Sequence, residues 1–415
     1  MVRGSTAAPT VSVLLGVAAL AALVVTLQLG GGASRDVPAG LPDAGAVARW
    51  GLPVSVLAAD LAGMLAVGHL VVAGVLLAPG TPAPRPFAQR AVRAAAFWLG
   101  LLSLAGAVRL VLTASDITGR PLGDLGPSAV WDVVERTEQG QVLLAQVAIA
   151  GALACAAVMS RTEGTALALL AAAALAVALP PLAGHASAEG AHVLTVTALA
   201  VHVAALSVWV GGLGALLLVA YADSRADAST PYATADSRAM VPALFARFGP
   251  VAFVCAVAAG GSGAAAALLP ADHLGALVTS SYGGILLAKV VGFSTVVAVG
   301  ATVRRRTKLV SHDRSSAAAG VGAPSVVRMA VVELVVMAAT VAVAVALAFT
   351  PTPAPEGGIA HGQVAGTSRC LDVLAVVGPL GGDVLQDGYR DRQGRPTPST
   401  EREEPAGSPS GEGKG

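Results

Sequence analysis

The sequence predicts an all-α membrane protein: a polytopic bundle of about nine transmembrane helices, with the N-terminus inside and the C-terminus outside. Three observations carry that expectation. The chain of 415 residues is 55% hydrophobic and only 12% charged, a balance foreign to water-soluble domains of this length. Its apolar residues gather into stretches long enough to cross roughly 30 Å of hydrocarbon. The basic residues collect at alternate ends of those stretches, which is how a bilayer orients a chain.

In chain order the apolar stretches fall at 11–30, 53–78, 92–114, 140–159, 165–183, 193–220, 250–270, 284–303 and 328–349. The first follows Arg3 and precedes Gly-Gly-Ala-Ser, an arrangement shared with secretory signals. Its length of about 19 apolar residues exceeds the usual signal core and favours a retained anchor. The fifth is so rich in alanine that neighbouring helices could shelter part of it from lipid. Arg85, Arg90 and Arg93 flank the second connection, and Arg304, Arg305, Arg306, Lys308 and Arg314 crowd the eighth. Both are expected to be cytoplasmic. The third connection holds Asp116, Asp124, Asp132, Glu135 and Glu138 against Arg120 and Arg136, and those containing His185 and His273 have no Lys or Arg. These are expected to face outward. After Thr350 the run Pro351-Thr-Pro-Ala-Pro355 stops the last helix, and residues 356–415 read as a disordered polar tail.

Several function classes drop out. A net charge of +1 gives no footprint for nucleic acid. Cys155, Cys255 and Cys370 have no CxxC spacing and signal neither zinc nor redox chemistry. No Walker A, nucleophile elbow or metal-hydrolase helix motif is present, so the expectation is a non-enzyme whose transport, if any, is ATP-independent.

Ionisable side chains at membrane depth each need a partner, a wet cavity or a function. Asp60, His69, Arg109, His202, Lys289 and Glu333 fall within the apolar stretches. Asp60 and Arg109 reach similar depth on adjacent spans at 1.5 Å per residue. They pair, or Arg109 snorkels outward and Asp60 sits beside water; spacing leaves both readings open. Met64 shares the helix face of Asp60, whereas His69 points roughly opposite. Lys289 and Glu333 start from opposite surfaces and are expected to find other partners.

His185, His192 and His202 hold three of the seven histidines within a short stretch. Imidazole is a good ligand for copper and zinc, so an outward-facing group of this kind suits the capture of a transition metal. The alternative is two ordinary loop histidines and one helix-to-helix hydrogen bond. On one straight helix His192 and His202 lie about 15 Å apart in depth, too far to share an ion, so as ligands they would act as successive stations. Trp209 lies on the His202 face, placed either to line the same path or to pack.

The stretch His202-Val-Ala-Ala-Leu-Ser-Val-Trp209-Val-Gly-Gly212-Leu resembles the signature of CopD-type copper resistance and import proteins. Three further pieces match in order: Arg247-Phe248, Thr279-Ser-Ser-Tyr282-Gly283-Gly-Ile-Leu-Leu-Ala-Lys289, and Glu333 in a last helix ending Thr350-Pro351. The earlier Gly40-Leu-Pro-Asp43 and Arg49-Trp50-Gly-Leu-Pro53 resemble actinobacterial proteins that fuse a CopD-like part to a CtaG-like oxidase assembly part, whose second half is not found in this sequence. The resemblance implies N-terminal membrane helices over 1–139, a CopD-like copper-handling domain over 140–355, and the tail beyond.

It also implies a multi-pass protein of the bacterial cytoplasmic membrane that takes up copper through outward-facing ligands, with His185, His192 and His202 as the metal-binding residues. An extracytoplasmic copper carrier or oxidase assembly protein is the implied protein partner. The alternative is a non-transporting copper-binding scaffold for oxidase maturation. A weaker third reading is a haem-binding membrane cytochrome.

Overall fold

A computed structural model describes residues 7–32, 42–77, 85–160, 164–183, 192–225, 235–268, 281–312 and 322–350. The described residues are helical throughout, with no strand. The α-helices are α1 (Ala7–Leu29), α2 (Gly45–Val71), α3 (Arg85–Thr118), α4 (Pro127–Arg136), α5 (Glu138–Met159), α6 (Thr165–Ala183), α7 (His192–Arg225), α8 (Ala235–Leu268), α9 (Ser281–His312) and α10 (Gly322–Ala348). The tail, His185 and His273 lie outside the described residues.

Seven helical segments among the described residues are long and apolar enough to cross a membrane, and they lie in α2, α3, α5, α7, α8, α9 and α10. Shorter apolar helices, Leu15–Leu29 and Thr165–Pro180, stand where the first and fifth crossings were expected. The third connection is not the plain loop the sequence suggested. It folds into α4, which buries Ala129, Val133 and Val134 and leaves Trp131 exposed. Thr137 then caps α5, its Oγ1 accepting from the Gly140 N–H at 3.0 Å and satisfying one of the orphan donors of a helix start.

Between helices already in lipid, packing rests on close approach and dispersion, since lipid tails are as apolar as leucine. α2 packs along α3, α6 and α7 and also touches α1 and α10; α3 packs on α5, α5 on α6, α7 on α8, and α9 on α10. Small residues make these approaches possible. Ala59, Ala62, Ala105 and Ala150 form an alanine-lined centre among α2, α3 and α5.

The start of α2 is fixed locally. Gly45 adopts φ +83°, open to glycine at no steric cost, and its N–H donates to Asp43 Oδ1 at 2.9 Å. Arg49 closes on the same carboxylate at 3.2 Å. The other end widens into a π-helical turn, Val72–Leu76, closed by the Leu77 N–H donating to Val72 O at 3.0 Å. α1 packs along α10. Their C-terminal ends meet, because a side chain on Gly30 would strike Thr350 and one on Gly32 would strike the Phe349 carbonyl. The two helices therefore run in the same direction.

Candidate functional site

The long helix α7 carries both His192, its first residue, and His202; the side chain of His192 lies outside the described residues. His202 is half-buried against α8. Its Nδ1 lies 2.9 Å from the Ala259 carbonyl oxygen and 3.3 Å from Ser262 Oγ. A carbonyl only accepts, so in the neutral ring Nδ1 carries the proton and Nε2 keeps its lone pair. A hydrogen bond from one ring nitrogen to a backbone carbonyl is the arrangement that orients a histidine for metal ligation through the other. Gly263 leaves room for the ring, since a Cβ there would lie 3.1 Å from His202 Cε1.

Two features around His202 were not legible in spacing. Lys289, on α9, lies near enough to His202 for its charge, when protonated, to bear on the imidazole and on an ion held there. One turn beyond Lys289, Phe293 meets Trp209 edge-on, with ring centroids 6.1 Å apart and planes at 84°. Trp209 is 2% exposed and belongs to the main hydrophobic core, so the indole packs α7 on α9.

The motif pieces named above converge. A side chain on Gly211 would fall on the Met64 carbonyl, and one on Gly68 would fall on the Gly211 carbonyl. α2 and α7 thus cross backbone to backbone at the Trp-Val-Gly-Gly-Leu segment. Gly212 instead faces the Phe248 ring, and Arg247 Nη1 donates to the Leu76 carbonyl at 2.9 Å. The Arg-Phe pair therefore ties α8 both to the motif helix and to the π-helical end of α2.

Of the other polar residues, Met64 is buried in the main core. Glu333 is buried and has a partner. His69 is 2% exposed, with Nδ1 2.8 Å from the Leu65 carbonyl oxygen, and lines a cavity of about 200 Å³ with Phe87, Arg90 and Trp98. Asp60 and Arg109 lie near enough for each charge to act on the other, but no hydrogen bond or close ion pair joins them among the described residues. Among the described residues no three His, Cys, Asp or Glu side chains group in a way that could hold a metal ion. Of the three histidines expected as metal ligands, only His202 has a described side chain; His185 and the side chain of His192 lie outside the described residues.

Comparison with known families gives two matches. Residues 43–194 match the family model described as copper resistance protein D-like, N-terminal domain. Residues 242–347 match the one described as copper resistance protein D. No curated protein and no solved structure matches the chain.

Proposed function

Because the chain belongs to the CopD-type family of copper resistance membrane proteins, we propose that it takes up copper ions from the outer face and passes them inward through histidines in series. It is a multi-pass membrane protein of copper resistance and homeostasis. The observation that carries the finer reading is His202, on a membrane-crossing helix, with Nδ1 engaged by Ala259 and Nε2 left as a ligand lone pair. His185 and His192 capture the ion at the outer mouth, and His202 receives it about 15 Å deeper.

Lys289 bears on the choice between transit and storage. A permeation site must bind well enough to admit an ion and weakly enough to release it. The ammonium charge acting on His202 supplies the weakening. A scaffold that holds copper for oxidase maturation has no need of it.

Nine crossings, N-terminus inside and C-terminus outside, remain the topology we assign. The parallel run of α1 and α10 supports it, because first and last crossings that point the same way require an odd number.

The test is copper flux into proteoliposomes containing only this protein, with Cu(I) and Cu(II) supplied separately. Uptake that is lost in His202→Ala, and in a variant replacing both His185 and His192, is the expected result. Copper binding with no flux, together with lost oxidase activity on deletion, would favour the scaffold.

A further inference from the structure

Away from His202, the helices α2, α3, α5 and α6 enclose polar groups that the copper path does not use. Asp60 and Arg109 interact electrostatically, yet no hydrogen bond or close ion-pair contact between them is found among the described residues. Gln146 is 4% exposed and donates from Nε2 to the Ala176 carbonyl at 3.1 Å. That bond fixes which end of the amide is which, and it leaves Oε1 buried without a partner. Thr113 Oγ1 is likewise buried and unpartnered, in a residue 3% exposed.

These groups lie close in register. Gly106, Arg109 and Thr113 are at i, i+3 and i+7, on one face of α3, and a Cβ on Gly106 would lie 3.7 Å from Gln146 Oε1. Gly51 packs on Leu112 and Gly63 meets Leu102, so the antiparallel register brings Asp60 level with the Gly106 turn. Thr113 stands about 8 Å short of the end of α3 at Thr118. The polar atoms therefore run from that end of the helix inward to Asp60.

An unpaired buried polar group is costly, and in a membrane interior the lipid cannot relieve it. Water would satisfy each of these groups: a molecule between the Asp60 carboxylate and the Arg109 guanidinium would bridge them, and others would donate to Gln146 Oε1 and pair with Thr113.

We propose that Asp60, Arg109, Gln146 and Thr113 form a hydrated proton-exchange site, reached from the outer face and separate from His202. A carboxylate held in a low-dielectric interior by one cation takes up a proton when that cation withdraws and releases it when the cation returns. The step is balanced by water: hydronium protonates the Asp60 carboxylate and leaves as water, and the reverse step restores it.

Among the described residues of the helices packed around it, no other titratable group is placed to take this role. α1 and α6 carry none. α5 offers Glu138 in its first turn and the exposed Cys155. Arg90, Arg93 and Asp116 lie toward the ends of α3, and Arg49 binds Asp43 at the start of α2. His69 turns to the Leu65 carbonyl, His202 of α7 faces α8, and Glu333 of α10 has its own partner.

Proton exchange stands without the uptake reading, and only its coupling to copper rests on it. The experiment uses the full chain in lipid. Infrared difference spectra between acid and neutral pH are expected to show a carboxylic-acid band that shifts in D2O, persists in Asp60→Glu and disappears in Asp60→Asn and in Asp60→Asn combined with Arg109→Gln. Gln146→Leu and Thr113→Val are expected to slow its D2O exchange several-fold. A wild-type spectrum without such a band, or a band that survives Asp60→Asn, overturns the proposal. In the same vesicles an imposed inward proton gradient is expected to raise copper uptake several-fold in the wild type and not in Asp60→Asn. Absence of copper flux with the Asp60 band intact counts against uptake and leaves the proton site standing.

Discussion

Gly68 of α2 and Gly211 of α7 bring their backbones into direct contact, so that a methyl group on either would coincide with main-chain atoms of the other helix. A backbone carbonyl cannot rotate aside as a side chain does. Gly211→Ala is therefore expected to lose more than about 3 kcal/mol, beyond ordinary overpacking, or to yield no folded protein. Gly100→Ala is the control. Nothing lies within 4 Å of a Cβ there, and alanine should gain about 0.5–1 kcal/mol over glycine in a helix. Thermal unfolding in detergent, followed by size-exclusion fluorescence, separates the two.

Removing the ammonium beside His202 should turn a transit station into a trap. Lys289→Gln is expected to raise the copper retained by the purified protein and to slow flux through it. Ser262→Ala should change both only slightly, because Ser262 Oγ already donates to the Ala258 carbonyl at 2.6 Å. Equilibrium dialysis against copper and vesicle flux measure the two quantities. Faster flux in Lys289→Gln would show that the charge does not hasten release.

The Trp209–Phe293 contact supplies a packing test that leaves the polar path intact. Phe293→Leu should forfeit the edge-to-face interaction, about 0.5–1.5 kcal/mol. Trp209→Ala should cost about 3–5 kcal/mol by opening a cavity. If Trp209 serves only to pack, variants that remain folded keep their copper selectivity, and a double-mutant cycle returns a coupling energy near the value for Phe293→Leu.

Arg247 anchors the widened end of α2. Arg247→Gln is expected to cost about 1 kcal/mol, in the range of a single hydrogen bond at a partly exposed site. Amides of the Val72–Leu77 turn should then exchange faster with deuterium than those of the α2 middle. Equal exchange in variant and wild type would show that Leu76 O needs no such partner.

Much of this bundle could be read from hydropathy, and the misses have physical causes. An apolar window measures how much chain lipid tolerates, not how far the helix continues. The stretch at 250–270 thus proved to be the later part of α8, which begins at Ala235. α4 escaped notice because its few buried residues are too sparse to register as a span. Depth counting put Asp60 and Arg109 at similar levels, since both travel with their helices at a known rise, but it did not decide between a direct pair and separate surroundings. It could not supply Ala259 as the partner of His202, because a backbone carbonyl has no side-chain signature. Nor could it tell which glycine meets which. Gly211 and Gly212 are neighbours in one motif, yet one meets a backbone and the other an aromatic ring. The family match over residues 43–194 takes in the Arg49-Trp50-Gly-Leu-Pro53 stretch and runs on through the acidic third connection, where no motif was legible.

The packing of α1 on α10 bears on how the protein is made. Ala19, Leu23 and Leu27 of α1 are buried, with α10 the helix that α1 packs along most extensively. At about 5–20 residues per second, a ribosome would need roughly 15–60 s to travel from Leu29 to the start of α10. Through that interval the first helix would wait in the bilayer beside a partner not yet synthesised. In water such a delay would invite aggregation. In hydrocarbon the waiting face is solvated by chains as apolar as itself, so a long-range seam of this kind can be left open until the last helix arrives.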